Sequence, residues 1–230
     1  MDSAVPCALL LSISETFSPS SQESNKLLRP ETVDCVDGTT LQLIFFDGEE
    51  AVKAWVDGDK LYGSTALAEL WETEGKLENI QLFILMDLLG TKVGYDCSLC
   101  PKIVSLYEST QGEYDQLVSM ETFLRDSGQL LQMDDVDPAF NNATFMGNIF
   151  RPDSNYLVAG IISDDHTPFL NRGVQNILHL IPFPFPHGFH SEDDDEENLD
   201  PAAVLNLDLI IRCAICSNLT SISDLECGCT

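Results

Sequence analysis

The stretch Leu41-Gln-Leu-Ile-Phe-Phe-Asp-Gly-Glu-Glu50 decides how this chain is read. An apolar run that breaks into Asp-Gly-Glu-Glu predicts a core strand delivering carboxylates to its C-terminal end, where open α/β sheets keep their ligands. Consecutive side chains on extended backbone point to opposite sides. One of Glu49 and Glu50 can therefore hold a metal while the other faces a substrate as a proton carrier. Taken alone, the same residues also fit a solvated acidic turn.

Three further apolar runs end in chemistry-bearing residues. Ile80–Met86 is followed by Asp87, and Tyr156–Ile162 by Ser163-Asp164-Asp165-His166. Gln175–Ile181 leads through Pro182-Phe-Pro-Phe-Pro186 to His190. A single acid after a strand is commonly a turn former or helix cap. Several strand ends of this kind, with a histidine behind a rigid Pro-Phe loop, predict one convergent site. Asp, Glu and His together are the ligand types of a catalytic zinc centre with an open position.

Around these runs the pattern alternates strand and helix, which predicts a three-layer α/β sandwich around a central sheet. Pro6 opens a helix over about Ala4–Thr16. Leu41–Phe46 and Gln81–Met86 read as strands. Ser64 reads as the cap of a helix to about Thr73, with Leu67, Leu70 and Trp71 on one face. Ile103–Leu131 reads as a long helical stretch, interrupted at Gln111-Gly112. Residues 132–138 read as a loop. Asp200-Pro201 starts a last helix to about Ser217 by cap and Pro-at-first-turn logic.

Composition bounds the partners. Eleven Lys+Arg face 38 Asp+Glu, a formal charge of -27, which argues against nucleic acid or an anionic membrane as partner. The run Ser191–Asn198 contributes much of that excess and reads as a solvated loop. It lacks the ligand spacing and turn glycine of a calcium loop. No apolar stretch is long enough to span a bilayer. The apolar segment after Met1 lacks a basic start, so it reads as a helix rather than a leader. Of eight cysteines, Cys97/Cys100 and Cys213/Cys216 form C-x-x-C pairs, and Cys227 and Cys229 lie in the tail. The last four read either as a metal-collecting group or as thiols. Asn142-Ala-Thr144 and Asn218-Leu-Thr220 are glycosylation sequons.

Taken in order, several segments resemble the animal glutaminyl-peptide cyclotransferases, zinc enzymes that convert an N-terminal glutamine to pyroglutamate. The matching stretches are Asp2–Ala8, Leu41–Ala51 with Trp55, Leu61–Ser64, Met86–Gly90, Asp164–Leu170, His179–Pro186 and Glu196–Asp200. The resemblance implies the zinc-aminopeptidase-like fold with a mixed sheet, one zinc, and a catalytic domain over 1–207, with 208–230 a divergent Cys-rich tail. It implies Asp2, Glu50 and His190 as zinc ligands and Glu49 as general acid/base. Asp87 and Asp164 become its carboxylate partners, and Trp55, Ile162, Phe185 and Phe189 the substrate wall. Peptides or proteins with N-terminal glutamine are the implied partners, the enzyme a monomer in the secretory route.

The sequence departs from the family in places. Phe189 stands where the family has Trp, and Ser163 where it has Gln. The family also carries a segment before the zinc Asp, including the first strands and a cysteine that pairs at the position of Cys7, so a truncated chain is expected. Two other readings stay open: a zinc aminopeptidase of the same fold, and an inactive acidic fragment.

Overall fold

The computed structural model describes residues 2–17, 33–34, 39–91, 101–131, 148–152, 162–186 and 188–219. Among these residues the main sheet has three strands in the order β3 (Phe83–Met86), β5 (Ile177–Phe183), β4 (Lys102–Val104). β3 and β5 run parallel, with Leu85 opposite His179. β4 runs antiparallel to β5, with Val104 opposite Ile181. The fold is therefore α/β around a mixed sheet. A separate two-residue ladder joins β1 (Val33–Asp34) to β2 (Thr40–Leu41).

Alternation along the strands sends side chains to two faces, and helices cover both. Leu178 and Leu180 of β5 join a core with Val5, Leu9, Ile13 and Phe17 of α1 (Ala4–Phe17). Tyr114, Leu117 and Leu124 of α3 (Gln111–Asp126) and Leu207, Ile210 and Ile211 of α5 (Pro201–Leu219) complete that layer. On the opposite face, Phe83, Leu85 and Ile177 meet α2 (Tyr62–Thr73) and the one-turn α4 (Thr167–Leu170). Phe169 is fully buried there, its ring centroid 4.8 Å from Phe83 and 6.0 Å from both Phe46 and Trp71. The three expected layers are present.

Helices α1 and α5 begin and end close to where their sequence signals put them. Asp200 caps α5 as predicted, its Oδ1 accepting from the amides of Ala202 (2.9 Å) and Ala203 (3.1 Å).

Four expectations change. Leu41–Phe46 is not a ladder strand beyond Leu41: among the described residues only β1 pairs with it, and Phe45 is half exposed. Apolar character alone does not make a strand without a partner edge. Ile103–Leu131 is not one helix. Its first part is β4 and a 3-10 turn over Glu108–Thr110, and the helix starts at Gln111, where an interruption was expected. Ser64 lies inside α2 rather than capping it. The cap position is Leu61, left-handed at φ 54, with no side-chain capping bond. The buried face of α2 is Ser64, Leu67, Ala68 and Trp71 in 3.6-residue register, and Leu70 points outward. Finally, Cys213 and Cys216 are disulfide-bonded rather than free thiols. The stretches 132–138 and 156–161, Cys97, Cys100, Cys227, Cys229 and the first sequon lie outside the described residues.

One buried acid ties the α3 layer to the chain beside β4. Glu121 is 1% exposed; it accepts from the amides of Ile149 (2.6 Å) and Phe150 (3.0 Å) and pairs with Arg125. Glu121→Ala would leave two amides without their acceptor and a guanidinium without its partner, which predicts a loss of about 3 kcal/mol. Leu70→Gln, on the exposed side of α2, should change stability by less than about 0.5 kcal/mol. Urea unfolding measures both, and a large loss at Leu70 would show that the face of α2 has been misassigned.

Candidate metal and catalytic site

Residues 47–49 and 61–63 are stitched together by their backbones. Leu61 donates to the Glu49 carbonyl (2.8 Å), Tyr62 to Gly48 (2.8 Å) and Gly63 to Asp47 (3.0 Å). A Cβ on Gly63 would lie 2.5 Å from the Asp47 oxygen, so only glycine admits this approach. The Glu pair is thus held against the start of α2 rather than in a sheet ladder. Asp87 sits directly after β3 and extends its pairing, its amide donating to Leu180 (3.1 Å). Asp164 and Asp165 precede α4, and His190 follows the Pro-Phe loop.

These segments bring Asp2, Glu50 and His190 together. Their ligand atoms all lie within 4.8 Å of one another. His190 Nε2 is 3.0 Å from Glu50 Oε1 and 3.9 Å from Asp2 Oδ2. The Asp2 amide donates to Asp194 Oδ2 (3.1 Å), so the acidic run expected to be a plain solvated loop anchors a site residue. The His190 ring stacks on Phe189 at 3.8 Å, and Phe189 in turn lies 4.7 Å from Phe185. An aromatic ladder therefore fixes the imidazole's orientation. Ile162 and Phe189 pack on one small cluster with Leu88, Val104 and Ile181. Trp55 reaches the same region through Lys60, whose ammonium touches both its ring and Ser163.

Backbone conformation singles out the same place. Leu61, Leu88 and His190 are the non-glycine residues with positive φ among those described, at 54°, 55° and 54°. One bonds the Glu49 carbonyl, one follows Asp87, and one is the candidate ligand. Left-handed backbone is unfavourable for side chains of this size and persists where the surroundings impose it.

Electrostatics binds the carboxylates into one group. Burial, then the charges of Asp164 and Glu50, push Glu49 up to about 8. Burial, then Asp164 and Asp2, push Asp87 up to about 8. Asp2 is raised by burial and by Glu50, and Asp165 reaches about 6 through burial. Asp164 is the exception. Burial acts to raise it, but His179 Nε2 donates to its Oδ2 at 2.8 Å and holds it below the usual range. His179 and His166 carried no predicted role; a histidine in the middle of a buried strand run was the available signal for the first. His166 is fully buried, and burial lowers it to about 3, so it is neutral. Tyr107 bonds its Nε2.

Two groups among the described residues could hold a metal ion: Asp2/Glu50/His190, and the buried Asp164/His166/His179. In the first, two carboxylates and one imidazole face one another with one side open to solvent, a donor set suited to a divalent cation. Without a cation, the like charges raise one another.

That repulsion sets a pH dependence. Raised carboxylates keep protons in the folded chain that the unfolded chain has lost, so stability falls as pH rises toward about 8. Below about 6.5 His166 acts in the opposite sense, because only the unfolded chain charges it. The window from about pH 6.5 to about 8 therefore reports on the raised carboxylates, Glu49 and Asp87 foremost, free of His166. Chelator-treated protein should lose melting temperature across that window, and an added divalent cation should reverse the loss. A flat profile without metal would contradict the clustering.

A glutaminyl-peptide cyclotransferase of Drosophila melanogaster is 39% identical to this chain over 211 residues, covering 92% of it and 53% of the relative. One from Bos taurus is 34% identical over 222 residues, covering 92% and 54% respectively. The crystal structure of a Macrostomum lignano glutaminyl cyclase matches with a TM-score of 0.68 at 29% identity, over 96% of this chain and 63% of that one. The chain spans about half the length of the curated relatives it matches. Residues 1–214 match the family described as Peptidase family M28, and the chain belongs to this family.

Proposed function

We propose that this chain is a glutaminyl-peptide cyclotransferase, cyclising N-terminal glutamine of peptides and proteins to pyroglutamate with release of ammonia. We take residues 1–207 as the catalytic unit. The observation that carries the reading is the convergence of Asp2, Glu50 and His190 with Glu49 pressed beside them. The similarity to cyclotransferases from fly and cattle supports the same assignment.

Asp2, Glu50 and His190 would hold one zinc, whose chemistry is to polarise the glutamine γ-carbonyl and stabilise charge on its oxygen. The remaining work falls to the chain's own side chains. The substrate α-amine attacks the γ-carbon, forming the ring C–N bond as the bond to the amide nitrogen breaks. Glu49 takes the proton that the amine loses and returns it to the departing nitrogen, which leaves as ammonia. A carboxyl pushed up to about 8 is poised to do both near neutral pH. Asp164 keeps it there: its charge opposes the ionisation of Glu49, and His179 keeps Asp164 charged while doing so. Asp87, itself pushed up to about 8, is the protonated partner beside them. Trp55, Ile162, Phe185 and Phe189 form the wall for the glutamine side chain, with Phe189 also orienting His190.

The M28 family name favours a second reading, an aminopeptidase. Assays on a Gln-initiated and a Leu-initiated peptide separate the two: pyroglutamate from the first supports the cyclase, and free leucine from the second supports the peptidase. Glu49→Gln should lower cyclisation by about 10²–10⁴-fold while metal content stays, because it removes a proton carrier and no ligand. His190→Ala should instead lose the zinc. If Glu49→Gln loses the metal, the roles of the two glutamates are exchanged.

A further inference from the structure

Lys60 is an unusual presence at this site. It is a half-buried cation in a chain with 38 acidic residues, yet among the described residues it makes no ion pair with any of them. Its Nζ lies 4.5 Å from the centroid of the Trp55 ring and donates to Ser163 Oγ at 3.1 Å. An ammonium has three N–H donors, so two remain for a ligand.

The surroundings fix where that cation stands. Leu61, the next residue, is bonded to the Glu49 carbonyl. The loop before it is pinned by Asp59, which accepts from the amides of Lys53 (2.9 Å) and Ala54 (2.8 Å) and from the Tyr62 hydroxyl (2.7 Å). Asp59 is the nearest acid in sequence, and these contacts occupy it. Ser163 stands between Ile162 of the proposed substrate wall and Asp164. A short hydroxyl there leaves room for the lysine head.

We propose that Lys60 makes this chain selective for substrates whose glutamine is followed by an acidic residue, its ammonium binding the carboxylate of that second side chain. The inference rests on the cyclotransferase reading, which puts the reacting glutamine between Glu49 and Trp55. The rest of the substrate then leaves past Trp55, on whose ring the Lys60 ammonium lies. In this reading the substrate's amine meets carboxylates and its second residue meets a cation. Lys60 acts on specificity and takes no part in bond making.

The test compares kcat/KM of the zinc-loaded chain and its Lys60→Met and Lys60→Arg variants on Gln-Glu-Phe, Gln-Ala-Phe and Gln-Lys-Phe peptides with amidated C-termini. Amidation leaves the side chain as the peptide's carboxylate; a free-acid Gln-Ala dipeptide tests the α-carboxylate as the alternative source. Lys60→Met should shift the Glu-over-Lys preference about tenfold toward Lys, mostly through KM, and Lys60→Arg should retain it. A uniform loss on all peptides would make Lys60 a mere clip for Trp55 and overturn the proposal. So would a shift below twofold, or one confined to the free-acid dipeptide. Dissociation constants for the same peptides separate the two claims. Binding that Lys60→Met reorders, without turnover, supports Lys60 and sinks the cyclase reading; no binding of any peptide sinks both.

Discussion

The constraint on which this structure turns is mutual repulsion. Asp2, Glu49, Glu50, Asp87, Asp164 and Asp165 approach closely enough to influence one another's ionisation. Such a cluster does not assemble by its own attraction, so the fold must impose it. The imposing contacts are mostly backbone. Three amides stitch 61–63 to 47–49, β3 continues its ladder through Asp87, and the Asp2 amide is bound by Asp194. The aromatic core around Phe169 supports the loops from below. Leu61, Leu88 and His190 accept unfavourable backbone conformations at the same spots. Stability given up locally is recovered in two helix layers that are apolar and closely packed.

Much of this was legible in the sequence, for a specific reason. Acids directly after apolar runs mark the C-terminal edge of a sheet, and Asp87 follows that rule after β3. Glu50 reaches the site with no ladder before it, and most of the run before Asp164 lies outside the described residues. Asp200 and Pro6 marked helix starts because capping is a local interaction of a few neighbouring atoms. Leu41–Phe46 failed as a strand because pairing is not local: its apolar side chains serve two cores without a ladder. Residues 103–110 were hidden by the strong helical pattern that follows them. Leu70 was grouped on one face with Leu67 and Trp71 because three apolar residues within one turn and a half do not fix which arc of a helix faces the core. The left-handed residues carry no signal, since leucine and histidine do not advertise positive φ.

Phe189 makes a contact that its implied role does not include. The resemblance implied a substrate wall, and its ring lies 4.7 Å from that of Phe185 and packs on the same cluster as Ile162. Its nearest aromatic neighbour is the His190 ring, stacked at 3.8 Å. Changing the ring that stands there therefore alters the orientation of His190 and the packing against Phe185 together. His179 offers a parallel case: a histidine that the strand pattern absorbs as one more core position is the donor that sets the charge of Asp164.

The candidate ligands come from positions 2, 50 and 190, and the Asp2–Asp194 hydrogen bond closes a loop of 192 residues. Closing a loop of that length costs chain entropy before any contact made there repays it. The ligand set is thus among the last features a folding chain can complete, after the helix layers and the sheet have brought its distant parts into register. A cation recognising all three residues recognises only the finished topology. Its binding would draw on the global unfolding equilibrium rather than on the opening of a single loop, so occupancy of the site doubles as a report that the whole chain has folded.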